Sequence, residues 1–302
     1  MKTAIVTCVS ESWLAPACVT LLSVSRNLAG VAVDFHIVVD GLSAQSRAHV
    51  NEFALRYKIK INLTTHTPEG FSNLNSHRYS QATFLRLCLP QIFSQKYQRL
   101  LYLDSDVLAL ADLSPLLKID LGGKTLAAVP EIKMAHRRGV MTDYHRRVIG
   151  LPKSADYFNA GVLFFDWQKI CAEHLLEKAR DLLLTGKYFK HLDQDVLNLT
   201  AQGQWLALPL KYNVDQSAAS YLNIAPALRH FNHAAKPWDW PRFMAYGPHH
   251  AYYQEVLKGL ALSQFLTQPK RGNPLQASLE FYFRKASLHQ RFLLRRRYAH
   301  LI

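Results

Sequence analysis

The segment LLYLDSDVLAL, residues 100–110, places Asp104 and Asp106 two positions apart directly behind an apolar run. In a locally extended chain these two side chains point the same way and Ser105 points the other way. Two carboxylates that close repel, and the simplest compensation is a hard divalent cation with oxygen ligands, one that completes its shell with phosphate oxygens. Asp and Ser also suit a turn or a cap after a strand, so spacing alone leaves that reading open. Further on, HFNHAAKPW (230–238) supplies His230, a potential further metal ligand, and Lys236, which can meet a phosphate as a point charge. A metal, a lysine and a diphosphate make a coherent chemical set. A core histidine and a solvated lysine remain the plain alternative.

Two more segments carry polar groups at element ends. NAGVLFFD (159–166) starts with the small Asn159-Ala160-Gly161 and continues as a buried strand, an entry that lets backbone approach a ligand. HLDQDVLN (191–198) sets Asp193, Gln194 and Asp195 in the first turn of a helix, where acids also complement the helix dipole.

Positioning these groups calls for alternating strands and helices. TAIVTCV (3–9) is a β-branched apolar run, followed by helical spacing through WLAPACVTLLSVSRNLAG. VAVDFHIVVDG (31–41) is a second strand, SAQSRAHVNEFALRY a helix opened by a serine cap, and KIKINLTT a third strand. The pattern predicts a mainly parallel sheet covered by helices and wound right-handed. An amphipathic helix is expected over 79–89, stopped by Pro90, then strands over 98–103, 125–130 and 159–166 and a helix over 167–185. In such sheets ligands bind beyond the carboxyl ends of the strands, which is where the DSD segment falls.

The chain has 302 residues, 49% of them hydrophobic, enough to bury a sizeable core and exclude general disorder. No apolar stretch approaches a membrane span, and the start, MKTAIVTCVSESW, has too short an apolar run for a secretory signal, so a cytoplasmic location is expected. Cys8, Cys18, Cys88 and Cys171 lie apart inside apolar segments and read as buried free thiols. The net charge is +14, and residues 270–302 hold eight basic residues against Glu280, half of that surplus. Nucleic acid, an anionic membrane and an acidic substrate all fit such a charge.

Taken together, the DSD, NAGVLFFD, LDQDVLN and HxxxxxKPW segments, in this order and spacing, resemble the family 8 retaining glycosyltransferases, and within them the bacterial lipopolysaccharide and lipooligosaccharide galactosyl- and glucosyltransferases. The resemblance covers about residues 1–240. It implies an α/β fold of GT-A type, a single Rossmann-like domain over 1–250, with a basic, aromatic, helical appendage over 251–302. It implies that Asp104, Asp106 and His230 bind Mn²⁺ or Mg²⁺ and through it the diphosphate of a UDP-hexose, with Lys236 on the same diphosphate. Ser105, Arg86, Asn159 and Ala160 match the donor site. Asp193 matches an acid on the sugar hydroxyls, and Gln194 the side chain beneath the anomeric carbon. Thr7, Ser10 and Glu11 match the nucleotide-binding edge, and Trp13 an aromatic that stacks on uracil. His233 stands where the family motif has glycine and could donate to the phosphate. His77 falls on the acceptor side, as do Arg137 and Arg138 in the basic segment EIKMAHRRGVMTDYHRR (131–147), which points to an anionic glycan or glycolipid acceptor.

The expected activity is transfer of galactose or glucose from a UDP-sugar to a lipopolysaccharide core or related surface glycan, with retention. Front-face attack is favoured, because Gln194 is a poor nucleophile; double displacement through Asp193 or Asp195 is the other route. The tail interleaves Phe281, Tyr282, Phe283 and Phe292 with arginines, which suits an anionic membrane surface and hence the inner face of the bacterial inner membrane. Nucleic acid is not expected, since that charge is segregated from a complete donor site. A soluble protein or glycogen-primer glucosyltransferase and a degenerate UDP-sugar-binding protein are the alternatives.

Overall fold

A computed structural model describes residues 1–71, 81–132, 143–152, 155–215, 222–232, 236–238, 247–266, 296 and 298–302. The first strand, β1 (Thr3–Ser10), leads through a 3₁₀ turn (Glu11–Trp13) into α1 (Leu14–Ser25). β2 (Asp34–Asp40), α2 (Ala44–Tyr57) and β3 (Ile61–Thr65) follow, and Ser43 caps α2 by accepting from the Ser46 amide, as expected. A 3₁₀ segment (Gln81–Cys88) and the short α3 (Leu89–Phe93) precede β4 (Arg99–Leu103), β5 (Val107–Ala109), α4 (Ser114–Leu117) and β6 (Leu126–Pro130). Beyond a π-helical turn (Tyr144–Ile149) come β7 (Phe158–Asp166), α5 (Trp167–Glu173), α6 (Leu175–Leu184), α7 (Leu192–Thr200), β8 (Trp205–Ala207), β9 (Leu228–His230) and α8 (Gly247–Leu257).

Seven strands form one sheet in the order β3-β2-β1-β4-β7-β6-β8. Every neighbouring pair is parallel except those made by β7, which runs antiparallel to both β4 and β6. Both faces are covered, so the central strands are largely apolar along their length and their side chains alternate between two cores. Ile5, Leu101 and Phe164 face the core built with α1, whereas Ala4, Tyr102 and Phe165 face the core built with α6 and α7. β5 and β9 pair antiparallel as a separate small sheet, with Val107 opposite His230.

The helix expected over 79–89 is a 3₁₀ segment joined to α3, and Pro90 lies in the first turn of α3. Proline is tolerated there because first-turn amides have no intrahelical acceptor. The helix expected over 167–185 is divided by His174, whose left-handed backbone (φ 52°) ends α5 and starts α6. Cys8, Cys18 and Cys88 are buried thiols, while Cys171 is half-buried with its Sγ 3.3 Å from the Ser94 carbonyl.

α8 runs across position 250. Its Tyr253 and Val256, with Leu260, Leu262, Tyr298 and Leu301, belong to the same core as α1, and Tyr57 Oη donates to the Val256 carbonyl at 2.6 Å. The Leu210 amide donates to the Leu301 carbonyl at 2.9 Å, so the end of the chain is seated on the sheet domain. Among the described residues no helix is long and apolar enough to cross a membrane. His77, Arg137, Arg138, His233 and nearly all of the basic tail lie outside the described residues.

Candidate metal and donor site

Asp104-Ser105-Asp106 leaves the carboxyl end of β4 as a tight turn, closed by the Val107 amide on the Asp104 carbonyl at 3.2 Å, where an extended segment was expected. The turn still converges the two carboxylates. Thr20 of α1 donates its hydroxyl to the Ser105 and Val107 carbonyls at 2.9 and 2.8 Å, tying the turn to the helix below. The small sheet then delivers the third group: β9 lies beside β5, the Phe231 amide donates to the Asp106 carbonyl at 2.9 Å, and His230 arrives over both acids.

His230 Nε2 is 3.2 Å from Asp106 Oδ1 and 3.6 Å from Asp104 Oδ2, and one ligand atom from each residue falls within 4.8 Å of the others. Among the described residues this buried nitrogen has no hydrogen-bond partner. On the other side, His230 Nδ1 lies 2.9 Å from Asn213 Oδ1. A carbonyl-type partner on one ring nitrogen, leaving the other aimed at two carboxylates, is the arrangement of a metal-ligating histidine. β7 passes directly beneath: a Cβ at Gly161 would collide with the His230 ring and come within 2.9 Å of Asp104 Oδ2. The glycine of the NAG segment is therefore the residue that lets the strand cross under the cluster. These three residues fit a divalent cation.

The electrostatics follow from the neighbours. Burial opposes ionisation of Asp106, but Lys236, whose Nζ is 2.6 Å from Oδ2, and His230 outweigh it and hold the carboxyl well below the usual carboxylate range. Lys236 also donates to the Phe231 carbonyl at 2.7 Å and stands 5.6 Å from the Trp13 ring centroid. Asp104 Oδ1 accepts from the Tyr102 hydroxyl and from Arg86 Nη2, each at 2.8 Å.

Arg86 joins the two halves of the site. It is buried over the Tyr102 ring, its Nη1 donates to the Ala160 carbonyl at 2.8 Å, and its Nε is 2.9 Å from Asp193 Oδ2. One guanidinium thus serves two acids. Asp193 is pushed up to about 6, chiefly by burial, because the Arg86 charge that opposes the shift is shared with Asp104 and Asp104 itself adds to it.

Gln194 is held from three sides. Its Oε1 accepts from the Ala160 amide at 3.0 Å and from Asn159 Nδ2 at 3.2 Å, and its Nε2 donates to the Tyr157 hydroxyl at 3.2 Å. Asn159 Nδ2 also donates to Glu131 at 3.0 Å, and its Oδ1 accepts from Gly161 and from Asn213 Nδ2 at 3.0 and 2.8 Å. Asp195, fully buried, accepts the hydroxyls of Tyr157 and Tyr144 at 2.5 and 2.6 Å and the His191 amide at 2.9 Å.

At the first loop, Trp13 meets Trp238 edge-on at 5.6 Å, and Trp238 packs on Tyr253 of α8. Glu11 accepts from the Ser43 amide and hydroxyl, which joins the loop to the start of α2. Ser10 Oγ lies 3.1 Å from Ser12 Oγ, and Thr7 is buried in β1 with its hydroxyl unpartnered among the described residues. The structure therefore gathers Asp104, Asp106, His230, Lys236, Arg86, Asn159, Ala160, Asp193 and Gln194 around one centre, with Trp13 beside Lys236. Tyr102, Tyr157, Asn213 and Trp238 were not singled out from the sequence. Tyr102 is the polar-tipped residue of LLYLD and Trp238 the end of KPW, but Tyr157 and Asn213 stand in no pattern that marks them.

The family model for glycosyl transferase family 8 matches residues 4–240. A lipopolysaccharide 1,2-glucosyltransferase of Escherichia coli (strain K12) is 28% identical over 265 residues, which span 83% of this chain and 76% of that one. A lipopolysaccharide 1,3-galactosyltransferase of Salmonella typhimurium is 26% identical over 68% of this chain and 64% of its own. The crystal structure of the galactosyltransferase LgtC with donor and acceptor sugar analogues superposes with a TM-score of 0.72 at 24% identity, covering 86% of this chain and 96% of that one. With a match over most of its length and the same fold, the chain belongs to glycosyl transferase family 8, as a glycosyltransferase of GT-A type.

Proposed function

We propose that the protein is a retaining hexosyltransferase that moves glucose or galactose from a UDP-sugar to a lipopolysaccharide core or related anionic surface glycan. The observation that carries this reading is the convergence of His230 Nε2 on Asp104 and Asp106 with Lys236 beside them. When bound there, a divalent cation would offset the charge of a departing diphosphate. The mixed oxygen and imidazole donor set suits Mn²⁺ better than Mg²⁺, which prefers oxygen alone. The lipopolysaccharide glucosyl- and galactosyltransferases among the relatives support the hexose and the acceptor class.

Each side chain then has a task. Lys236 contacts the diphosphate and Trp13 stacks on the base, with Thr7, Ser10 and Glu11 along the nucleotide edge. Asp193 accepts from sugar hydroxyls, and Gln194, fixed by Asn159, Ala160 and Tyr157, presents its amide beneath the reacting carbon. Both Asp195 oxygens are taken by tyrosine hydroxyls and Asp193 is tied to Arg86, which supports front-face attack, with the leaving phosphate oxygen receiving the acceptor's proton. Ser105 and His233 line the diphosphate, and His77, Arg137 and Arg138 the acceptor side. The basic stretch within 251–302 holds the enzyme to the anionic inner face of the bacterial membrane.

The test is hydrolysis of a panel of UDP-hexoses by the purified chain, without acceptor, with and without Mn²⁺. Metal-dependent release of UDP from UDP-glucose or UDP-galactose, lost in Asp106→Ala, is expected. No metal-dependent turnover of any UDP-hexose would overturn the reading.

A further inference from the structure

The polar groups between the metal cluster and the start of α7 form one continuous chain. His230 Nδ1 meets Asn213 Oδ1 at 2.9 Å, Asn213 Nδ2 meets Asn159 Oδ1 at 2.8 Å, and Asn159 Nδ2 meets Gln194 Oε1 at 3.2 Å. Gln194 Nε2 then meets the Tyr157 hydroxyl at 3.2 Å, and Tyr157 meets Asp195 Oδ1 at 2.5 Å. Every member apart from Asn159 and Gln194 is nearly or fully buried.

Asp195 accepts from the Tyr144 and Tyr157 hydroxyls and the His191 amide, so its end gives the chain a direction. Tyr157 spends its proton on Asp195 and offers its oxygen to Gln194 Nε2. That turns the Gln194 oxygen toward Asn159, where the Ala160 amide also donates to it, a backbone group that cannot be reversed. Asn159 is fixed likewise, its nitrogen toward Glu131 and Gln194 and its oxygen accepting from the Gly161 amide. Asn213 must then donate to Asn159, which leaves its oxygen facing His230 Nδ1. The ring nitrogen at that end has to carry the proton.

We propose that this relay, anchored at Asp195 and completed by Asn213, holds a proton on His230 Nδ1, so that Nε2, which faces Asp104 and Asp106, is the nitrogen left to bind a cation. Asn213 is a positioning residue: it acts on the metal through His230 and on the sugar side through Asn159 and Gln194. It is placed for this by the backbone, since the Val214 amide donates to the Leu228 carbonyl and the His230 amide to the Val214 carbonyl, at 2.9 and 3.0 Å. The proposal rests on the metal reading above for its use, though not for the Nδ1 proton itself. Groups one step behind a metal ligand change metal affinity by about 10- to 100-fold when removed.

Two measurements on the full chain test it. The first is long-range proton–nitrogen correlation on ¹⁵N-histidine protein without metal, with the His230 signals assigned through His230→Gln. A proton on Nδ1 is expected in the wild type; a bare Nδ1 overturns the relay even if Mn²⁺ binds. The second is Mn²⁺ affinity by electron paramagnetic resonance for wild type, Asn213→Ala and Asn213→Asp. Asn213→Ala loses the acceptor and should bind about 10- to 100-fold more weakly. Asn213→Asp keeps an acceptor for His230 and should bind within about threefold or more tightly, as in carboxylate–histidine–metal triads, yet it loses the donor to Asn159 and with it sugar transfer. Equal Mn²⁺ affinity in wild type and Asn213→Ala, or equal weakening by Ala and Asp, overturns the proposal. A wild type with the expected Nδ1 proton that binds no Mn²⁺ overturns the metal reading instead.

Discussion

Gly161 lies so close beneath the imidazole of His230 that any side chain there would occupy the ring's position. The strand cannot retreat, because its carbonyl accepts from the Asp104 amide at 2.9 Å and its register with β4 is fixed on the following residues. Gly161→Ala therefore displaces His230 from the two acids. Overpacking of this kind costs roughly 1–3 kcal/mol of stability. Metal affinity should fall by at least tenfold, and calorimetric titration with Mn²⁺ beside a thermal melt separates the two effects.

Arg86 is buried between Asp104 and Asp193, and its removal leaves two carboxylates facing each other without their shared cation. Breaking a buried pair by removing one partner costs about 3–5 kcal/mol. Arg86→Ala is expected to lower the melting temperature strongly and to abolish transfer. Arg86→Lys restores a charge but not the fork that spans Asp104, Asp193 and the Ala160 carbonyl, so it should melt higher than Arg86→Ala and still transfer poorly. Equal melting of wild type and Arg86→Ala by scanning calorimetry would contradict the bridging role.

The six longer strands and their order of appearance were readable because a sheet covered on both faces needs apolar residues at consecutive positions, as in TAIVTCV and NAGVLFFD. The acids of the metal cluster were readable because they stand together behind such a strand. What joined them was not. His230 reaches the acids through pairing of the three-residue strands β5 and β9, too short to announce themselves, and Asn213 and Tyr157 act through distant contacts that leave no local spacing. The break of the helix at His174 was hidden for a related reason: a single left-handed residue interrupts an otherwise helical run of side chains.

Asp193 should give transfer an acidic limb. Its carboxyl is raised from the ordinary range to about 6, so the folded protein takes up the proton as pH falls through that value and Asp193 loses its charge. The uncharged form is a poorer acceptor for sugar hydroxyls and a weaker partner for Arg86. Activity should fall about tenfold for each pH unit below 6. In Asp193→Asn, whatever activity survives should lack that limb. A profile of kcat/KM from pH 5 to 8, with Mn²⁺ held saturating, checks both statements.

Arg295, Arg296 and Arg297 form the densest charge in the tail. Attraction of a basic residue to an anionic surface is worth about 1 kcal/mol, so neutralising three should weaken binding by about a hundredfold. Sedimentation of the full chain and of its Arg295→Gln, Arg296→Gln, Arg297→Gln variant with phosphatidylglycerol vesicles measures this, with phosphatidylcholine vesicles as the uncharged comparison. Equal sedimentation of the two proteins with the anionic vesicles would remove the membrane role from this segment.

Trp238 does not belong to the Asp104–Asp106–His230 cluster, yet it backs Trp13, the residue proposed to stack on the base. It meets Trp13 at 84° and is itself backed by Tyr253 of α8, so the orientation of Trp13 depends on a helix beyond the matched family region. Aromatic pairs of this geometry contribute about 0.5–1.5 kcal/mol beyond the area they bury. Trp238→Leu keeps an apolar filler but drops the edge contact, leaving Trp13 free to turn. The KM for the UDP-sugar should rise by roughly 2- to 10-fold with kcat nearly unchanged. Trp13→Ala should raise it further, and the double variant should add little to Trp13→Ala alone, since Trp238 acts through Trp13. Full additivity of the two substitutions in a double-mutant cycle would show that Trp238 reaches the donor by another route.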